Sequence, residues 1–92
     1  MKTFRFSPEK NAALKNERGV SFEEVLVAIE TEFLLDILEH KNKKKYSHQK
    51  IFVVSINHYV YLVPFVENDK EIFLKTIIPS RKATKHYLID SK

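Results

Sequence analysis

The feature that most constrains the fold is residues 49–67, which read QKIFVVSINHYVYLVPFVE. The runs at 51–56 and 59–66 are rich in β-branched and aromatic residues, and they predict two strands. Asn57-His58 between them predicts a tight primed turn, because Asn tolerates a positive φ. An isolated hairpin is only marginally stable in water. The rest of the chain must therefore supply further strands, and helices that cover one face of the sheet.

Three more strands are predicted at residues 2–6, 33–38 and 71–78. The run at 33–38 is also compatible with a longer second helix, but its irregular apolar spacing favours a strand. Side chains alternate between the two faces of the predicted strand 71–78. The face expected to meet the helices carries Ile72, Leu74, Thr76 and Ile78. The open face carries Phe73, Lys75 and Ile77. Pro64 cannot donate to a sheet ladder, so we expect it at a bulge or at an outward-facing edge.

Two helices are predicted between the first and second strands. Ser7 and Pro8 suit the start of the first helix, and Gly19 marks its end. Ser21 and Glu24 form a capping box for the second helix. That helix carries one apolar stripe, suited to packing on a sheet, formed by Phe22, Val25, Leu26 and Ile29. Ser80 is placed to cap a short C-terminal helix over residues 80–87.

The resulting order is β-α-α-β-β-β-β with a short C-terminal helix. It predicts an α+β fold in which two N-terminal helices pack on one face of an antiparallel sheet. A length of 92 residues is typical of one domain, so residues 1–92 are expected to fold as a single unit.

Composition excludes several classes of protein. The chain has no cysteine, which excludes a disulfide framework and a thiolate metal site. No apolar run approaches the roughly 20 residues of a membrane span, and the first residues do not resemble a secretory signal. No GxSxG elbow, glycine-rich phosphate loop or metal motif is present, and the four His lack ligand spacing. We therefore expect no cofactor and no metal, and a cytoplasmic location is compatible with the composition.

Charge is distributed unevenly along the chain. Residues 1–38 contain five Lys/Arg and seven Asp/Glu, whereas residues 39–92 contain eleven and five, giving −2 and +6. Residues 39–92, which contain most of the predicted strands, are therefore basic, and this favours binding to a polyanion such as nucleic acid. The competing interpretation is a solvated, lysine-rich surface.

Two stretches of the chain resemble the BrnT-type toxins of bacterial type II toxin–antitoxin systems, which are small RelE-like ribonucleases. They are FRFSPEKNAALKNERGVSFEEV at residues 4–25 and IIPSRKAT at residues 77–84. The resemblance implies a RelE-like fold and RNA cleavage that inhibits translation and growth. It also implies a cognate antitoxin, which forms a hetero-oligomer with the toxin and provides the contact with operator DNA. The chain departs from the family pattern at Ser7, where Asp is usual, and at Glu17-Arg18, where Lys-His is usual.

Metal-independent RNA cleavage uses the substrate's own 2′-hydroxyl as the nucleophile, so the protein must position the strand, move protons and stabilise charge on phosphorus. Arg81 is the first choice for the phosphate contact, with Lys82 beside it, because a guanidinium pairs two phosphate oxygens and stays charged. His48, followed by His40, is the preferred proton carrier, since both flank a lysine-rich loop. A solvated or structural role is the competing interpretation for each.

RNA contacts are expected from the loop lysines Lys43, Lys44 and Lys45 and from Lys75 on the open sheet face. Tyr61 would stack on bases if its side of the strand is the open one. Arg18 would retain the charge of the family His but not its proton transfer. Two non-enzymatic alternatives remain, namely an RNA-binding module or inactive toxin relative that acts through its partner, and an interaction domain without a nucleic-acid role.

Overall fold

The computed structural model describes residues 2–39, 44 and 49–89, which form an α+β fold. In chain order the elements are β1 (Thr3–Arg5), α1 (Pro8–Arg18), α2 (Phe22–Ile29), β2 (Leu34–Glu39), β3 (Gln49–Ile56), β4 (Tyr59–Glu67), β5 (Glu71–Leu74), β6 (Ile78–Pro79), α3 (Arg81–Thr84) and a π-helical turn (Lys85–Ile89). We refer to α3 and the π-helical turn together as the C-terminal helix. The predicted strand at 33–38 is confirmed as β2. No helix in this described part of the chain is long and apolar enough to cross a membrane.

Local capping sets the bounds of the two N-terminal helices. The Ser7 hydroxyl accepts from the Lys10 backbone N–H, and α1 ends at Gly19, whose φ of 68° is left-handed. In α2 the Ser21 hydroxyl accepts from the Glu24 N–H while the Glu24 carboxylate accepts from the Ser21 N–H, which is the predicted capping box. These contacts satisfy backbone donors that a helix start leaves unpaired, so both helices begin where the sequence predicts.

The six strands form one sheet in the order β1-β5-β4-β3-β2, with β6 also pairing to β4. The central hairpin is confirmed, because β3 and β4 pair in antiparallel register and Asn57 and His58 have φ values of 53° and 65°. β1 pairs with β5 in parallel, so the sheet is mixed and not purely antiparallel as predicted. These two strands are far apart in sequence, and no hairpin turn therefore imposes an antiparallel arrangement on them.

The core lies between the sheet and the two N-terminal helices. Phe22 and Val25 of α2 are fully buried, and Leu26 and Ile29 pack against the same cluster, which confirms the predicted stripe. The sheet contributes the aromatic pair of Phe52 and Phe65, with ring centroids 3.9 Å apart, and further side chains, namely Val54, Ile56, Val63, Leu74 and Ile77. Burying this apolar surface is the main contribution to stability.

The chain between β5 and β6 contains one residue more than the stretch of β4 that faces it. This extra residue changes which side chains are buried. β4 pairs with β5 up to Leu74 and with β6 from Ile78, so only residues 63–64 of β4 lie opposite residues 75–77. Such a bulge shifts the alternation of side chains by one position. Ile77 is therefore 0% exposed in the helix-side core, and Ile78 is 41% exposed on the other face. The prediction of a continuous strand at 71–78, with Ile77 on the open face, is wrong for this reason.

Pro64 lies at this bulge. Its carbonyl accepts from the Lys75 backbone N–H at 2.8 Å. Its ring nitrogen has no hydrogen to donate, and it needs no partner here because the pairing of β4 is interrupted between β5 and β6. The predicted placement of Pro64 at a bulge is thus confirmed. The bulge and the proline fit each other, because each removes one ladder contact at the same position.

The C-terminal helix covers one end of the second sheet face. The Val60 N–H donates to the Thr84 hydroxyl at 2.9 Å, and the Tyr87 hydroxyl donates to the Asp36 carboxylate at 2.8 Å. The helix therefore runs from β4 across β3 to β2. Val53 and Val60 are fully buried without belonging to the helix-side core, which places them beneath this helix. The other end of the second face has no helix over it in the described part of the chain.

Candidate nucleic-acid interface

An apolar surface remains exposed on the second sheet face beyond the C-terminal helix. Strand register puts its members in adjacent rows, because Leu38, Ile51 and Pro64 are aligned, as are Val66 and Phe73. Their side chains are exposed or half-buried. We call this surface the open patch, and it consists of Leu38, Ile51, Pro64, Val66, Phe73 and Ile78.

Two polar contacts mark the rim of the open patch. The Lys75 ammonium donates to the Gln49 side-chain oxygen at 3.2 Å, and Gln49 is aligned with Val66. This contact confirms that Lys75 projects from the face opposite to α1 and α2. On the other side, Arg5 is aligned with Phe73 and lies 3.6 Å from the Glu71 carboxylate. The rim is thus cationic at Lys75 and partly neutralised at Arg5.

The segment that follows β5 is strongly basic. Residues 72–89 contain Lys75, Arg81, Lys82 and Lys85 and no Asp or Glu. Arg81 and Lys82 are the first residues of α3, directly after the Ser80 cap, and both side chains are exposed. None of these four cations takes part in the ion pairs formed among the described residues. Their charge is therefore available to an anionic ligand that approaches from solvent.

Arg18, the last residue of α1, has a structural contact that the sequence did not predict. Its guanidinium donates to the backbone carbonyl of Ile77, inside the bulge. This hydrogen bond ties the end of α1 to the irregular strand and satisfies a carbonyl that the bulge leaves without a ladder partner. Topology thus brings Arg18 near the chain segment that carries Arg81, while one of its donors is already committed to the fold.

Tyr61 does not share a face with Lys75. Its ring packs against the helix-side core, and its centroid lies 5.6 Å from that of the Tyr59 ring on the same side of β4. Burial raises the pKa of the Tyr61 hydroxyl, and the neighbouring Tyr59 and Glu24 raise it further. Tyr61 was expected to stack on bases only if its side of β4 were the open sheet face. It is not, because α2 flanks the side of β4 on which Tyr61 lies.

Most of the lysine-rich loop lies outside the described residues, and this includes Lys43, Lys45, His40 and the preferred proton carrier His48. Lys44 is described and exposed. Among the described residues no group of three His, Asp or Glu is placed to hold a metal ion.

Of the two described histidines, His86 is closer in the chain to the cationic segment. It follows Lys82 by four residues on the C-terminal helix, is exposed, and makes an edge contact with the Tyr87 ring at 4.8 Å. Residues four apart share one side of a helix. His58 lies in the hairpin turn and contributes to a different groove, near α2. The C-terminal helix therefore presents the Lys82 ammonium and the His86 imidazole on one side.

Sequence reasoning missed Arg5 and Gln49 as members of the rim. The alternation Phe4-Arg5-Phe6 indicates that Arg5 points away from the core, since both rings pack against the helix-side cluster. It does not indicate that β1 lies beside β5, and only this pairing brings Arg5 to Phe73. Gln49 carries no signal in the sequence, because its role depends on the register with Val66.

No family model, no curated protein and no solved structure gives a significant match to this chain. The resemblance to the BrnT-type toxins and the roles that it implies for Arg81 and Lys82 therefore stay predictions.

Proposed function

We propose that this chain is the toxin of a bacterial type II toxin–antitoxin system, a metal-independent endoribonuclease that inhibits translation and growth in the cytoplasm. One observation carries the proposal: an exposed apolar sheet face has Lys75 at its rim, and the chain that continues from β5 adds the exposed cations Arg81 and Lys82. None of the three has an acidic partner among the described residues. Such a surface offers charge to phosphates and apolar contact to unstacked bases.

In the proposed reaction the RNA 2′-oxygen attacks the adjacent phosphorus while the bond to the 5′-oxygen breaks. The products are a 2′,3′-cyclic phosphate and a 5′-hydroxyl, so a base takes one proton and an acid returns one. Arg81 and Lys82 stabilise the extra negative charge on the phosphoryl oxygens. His48 is the proton carrier that the sequence favours, and His86 is a second candidate because of its position one turn beyond Lys82.

The partner in this proposal is an antitoxin that carries an acidic, amphipathic segment. Its apolar side would cover the open patch and its carboxylates would pair with Lys75, Arg81 and Lys82, which would exclude RNA from the same surface. The resulting hetero-oligomer would contact operator DNA through the antitoxin alone.

A non-enzymatic RNA-binding module is the second candidate, and a specific observation favours it. None of the six side chains of the open patch carries a titratable group. Cleavage would therefore depend on proton carriers beside the patch, whereas simple binding needs only the cations and the apolar face.

Expression of the chain alone in bacteria, together with an RNA cleavage assay of the purified protein in EDTA, tests the proposal. We expect growth arrest and cleavage by the original chain. Arg81→Ala should reduce cleavage by about 10²–10³-fold, which is typical for removal of one group that stabilises a transition-state charge. Its thermal midpoint should be unchanged, because the Arg81 side chain is exposed. Lys10→Ala on α1 is the matched control and should leave cleavage intact.

Equal cleavage by the folded Arg81→Ala protein would remove Arg81 from the mechanism. Tight RNA binding without cleavage by the original chain would favour the non-enzymatic module. Absence of both RNA binding and growth arrest would contradict the proposal.

A further inference from the structure

A second concave surface lies at the opposite end of β3 and is not part of the open patch. A groove of about 370 Å³ is bounded by α2 and the β3–β4 turn, and a depression of about 530 Å³ adjoins it on the side of the C-terminal helix. Phe33, Ser55 and His58 line both. We call the continuous surface the end groove.

The walls of the end groove expose apolar side chains that the core does not use. Val27 of α2 is 60% exposed, Phe33 is 49% exposed and Ile89 of the C-terminal helix is 64% exposed. Val27 lies outside the stripe by which α2 packs on the sheet. Three exposed apolar side chains around one groove are unusual for a surface that meets only water.

The chain around this groove is acidic. Residues 19–40 contain six Asp/Glu and no Lys or Arg. Glu24 and Glu32 line the walls, and neither takes part in the ion pairs formed among the described residues. The end groove is therefore apolar inside and carries acidic side chains on its α2 side, whereas the C-terminal helix that forms its other wall is basic.

We propose that the end groove is a docking surface for a basic, amphipathic helical segment of a protein partner. Such a helix places apolar side chains at spacings of three and four residues into a groove, while its Lys and Arg reach the carboxylates at the rim. A nucleic acid does not fit, because its phosphates would meet Glu24 and Glu32. This inference concerns a surface separate from the open patch and does not depend on RNA cleavage.

A second copy of this chain is a poorer occupant. Its basic, partly apolar segment is the C-terminal helix, but Leu88 and Ile89 of that helix already form a wall of the copy's own end groove. The Tyr87–Asp36 and Val60–Thr84 hydrogen bonds hold the helix there. Supplying it to another molecule would require these contacts to break.

The test uses the full chain and a synthetic peptide of leucine and lysine, about four helical turns long, with its leucines on one side. A peptide with glutamate in place of lysine is the matched control. Backbone amide shifts and fluorescence anisotropy are measured for the original chain and for Val27→Ser and Glu32→Lys. Ile37→Ser and Glu17→Lys provide controls, because Ile37 is similarly exposed on β2 and Glu17 lies on α1, both outside the groove.

We expect the lysine peptide to bind, with shifts concentrated at α2, Phe33 and His58. Val27→Ser and Glu32→Lys should each weaken binding by about tenfold, whereas the two control variants and the original chain should bind equally well. Weak binding of the glutamate peptide is part of the expected result. The proposal is overturned if the lysine peptide does not bind, if the control variants lose binding equally, or if shifts map to the open patch. Dimerisation that Val27→Ser abolishes would also overturn it, since a second copy would then fill the groove.

Discussion

Ile77 and Ile78 are neighbours in the chain with opposite environments, and a pair of substitutions separates them. Ile77→Ala should lower the free energy of unfolding by roughly 2–5 kcal/mol, because it leaves a cavity in the helix-side core. Ile78→Ala should cost less than about 1 kcal/mol, because its side chain is 41% exposed. Urea denaturation of the two variants provides the measurement. If Ile78→Ala proved the more damaging, the strand would alternate without a bulge, and Ile78 would be the residue in the core.

This pair also shows what sequence alternation can and cannot reveal about single residues. Alternation correctly assigned Leu74 and Lys75, because both precede or begin the bulge. It failed at Ile77, since one inserted residue inverts every later side chain and leaves no composition signal of its own. Pro64 did carry a signal, because a residue without an N–H needs a break in the ladder. A break in the sheet ladder could be expected opposite Pro64. The sequence did not indicate which neighbouring strand contains that break.

Among the elements, α2 offers the sharpest test of packing. Val25 is 0% exposed against the sheet and Val27, two residues later, is 60% exposed. Val25→Asp buries an unpaired carboxylate and should cost at least about 3 kcal/mol, which lowers the thermal midpoint of a domain this size by roughly 12–24 °C. Val27→Asp, with the same change of charge, should shift the midpoint by only a few degrees. Similar midpoints for the two variants, measured by circular dichroism, would show that α2 does not pack through its stripe.

Element boundaries were predictable where local chemistry decides them. The Ser21–Glu24 capping box and Gly19 set the ends of the helices through contacts within a few residues, and Asn57 sets the hairpin turn. The parallel position of β1 and the path of the C-terminal helix depend on contacts between distant parts of the chain. The Tyr87–Asp36 hydrogen bond, for example, joins residues 51 positions apart. No local pattern contains that information, and it governs which part of the second sheet face stays exposed.

At the scale of the whole molecule, charge is separated between two surfaces. Glu24 and Glu32 line the end groove, whereas Lys75 lies at the rim of the open patch and Arg81 and Lys82 begin α3. The half-and-half charge asymmetry was visible in the sequence. Its spatial meaning was not, because it depends on α2 and the C-terminal helix lying on opposite faces of the sheet. An extended anion is therefore expected to approach the protein with a preferred orientation.

The salt dependence of RNA binding tests this preferred orientation. Each contact with a single-stranded phosphate contributes about 0.7 to the slope of log K against log salt concentration, so the double variant Arg81→Ala, Lys82→Ala should flatten the slope by about 1.4. The double variant Lys10→Ala, Lys70→Ala removes the same net charge from exposed positions in α1 and in the turn before β5. It should leave the slope nearly unchanged, because those side chains lie away from the C-terminal helix. Fluorescence anisotropy with a labelled single-stranded RNA, titrated at several salt concentrations, gives both slopes. Equal flattening in the two variants would mean that RNA responds to the net charge alone, and that the cations of α3 do not form a specific contact site.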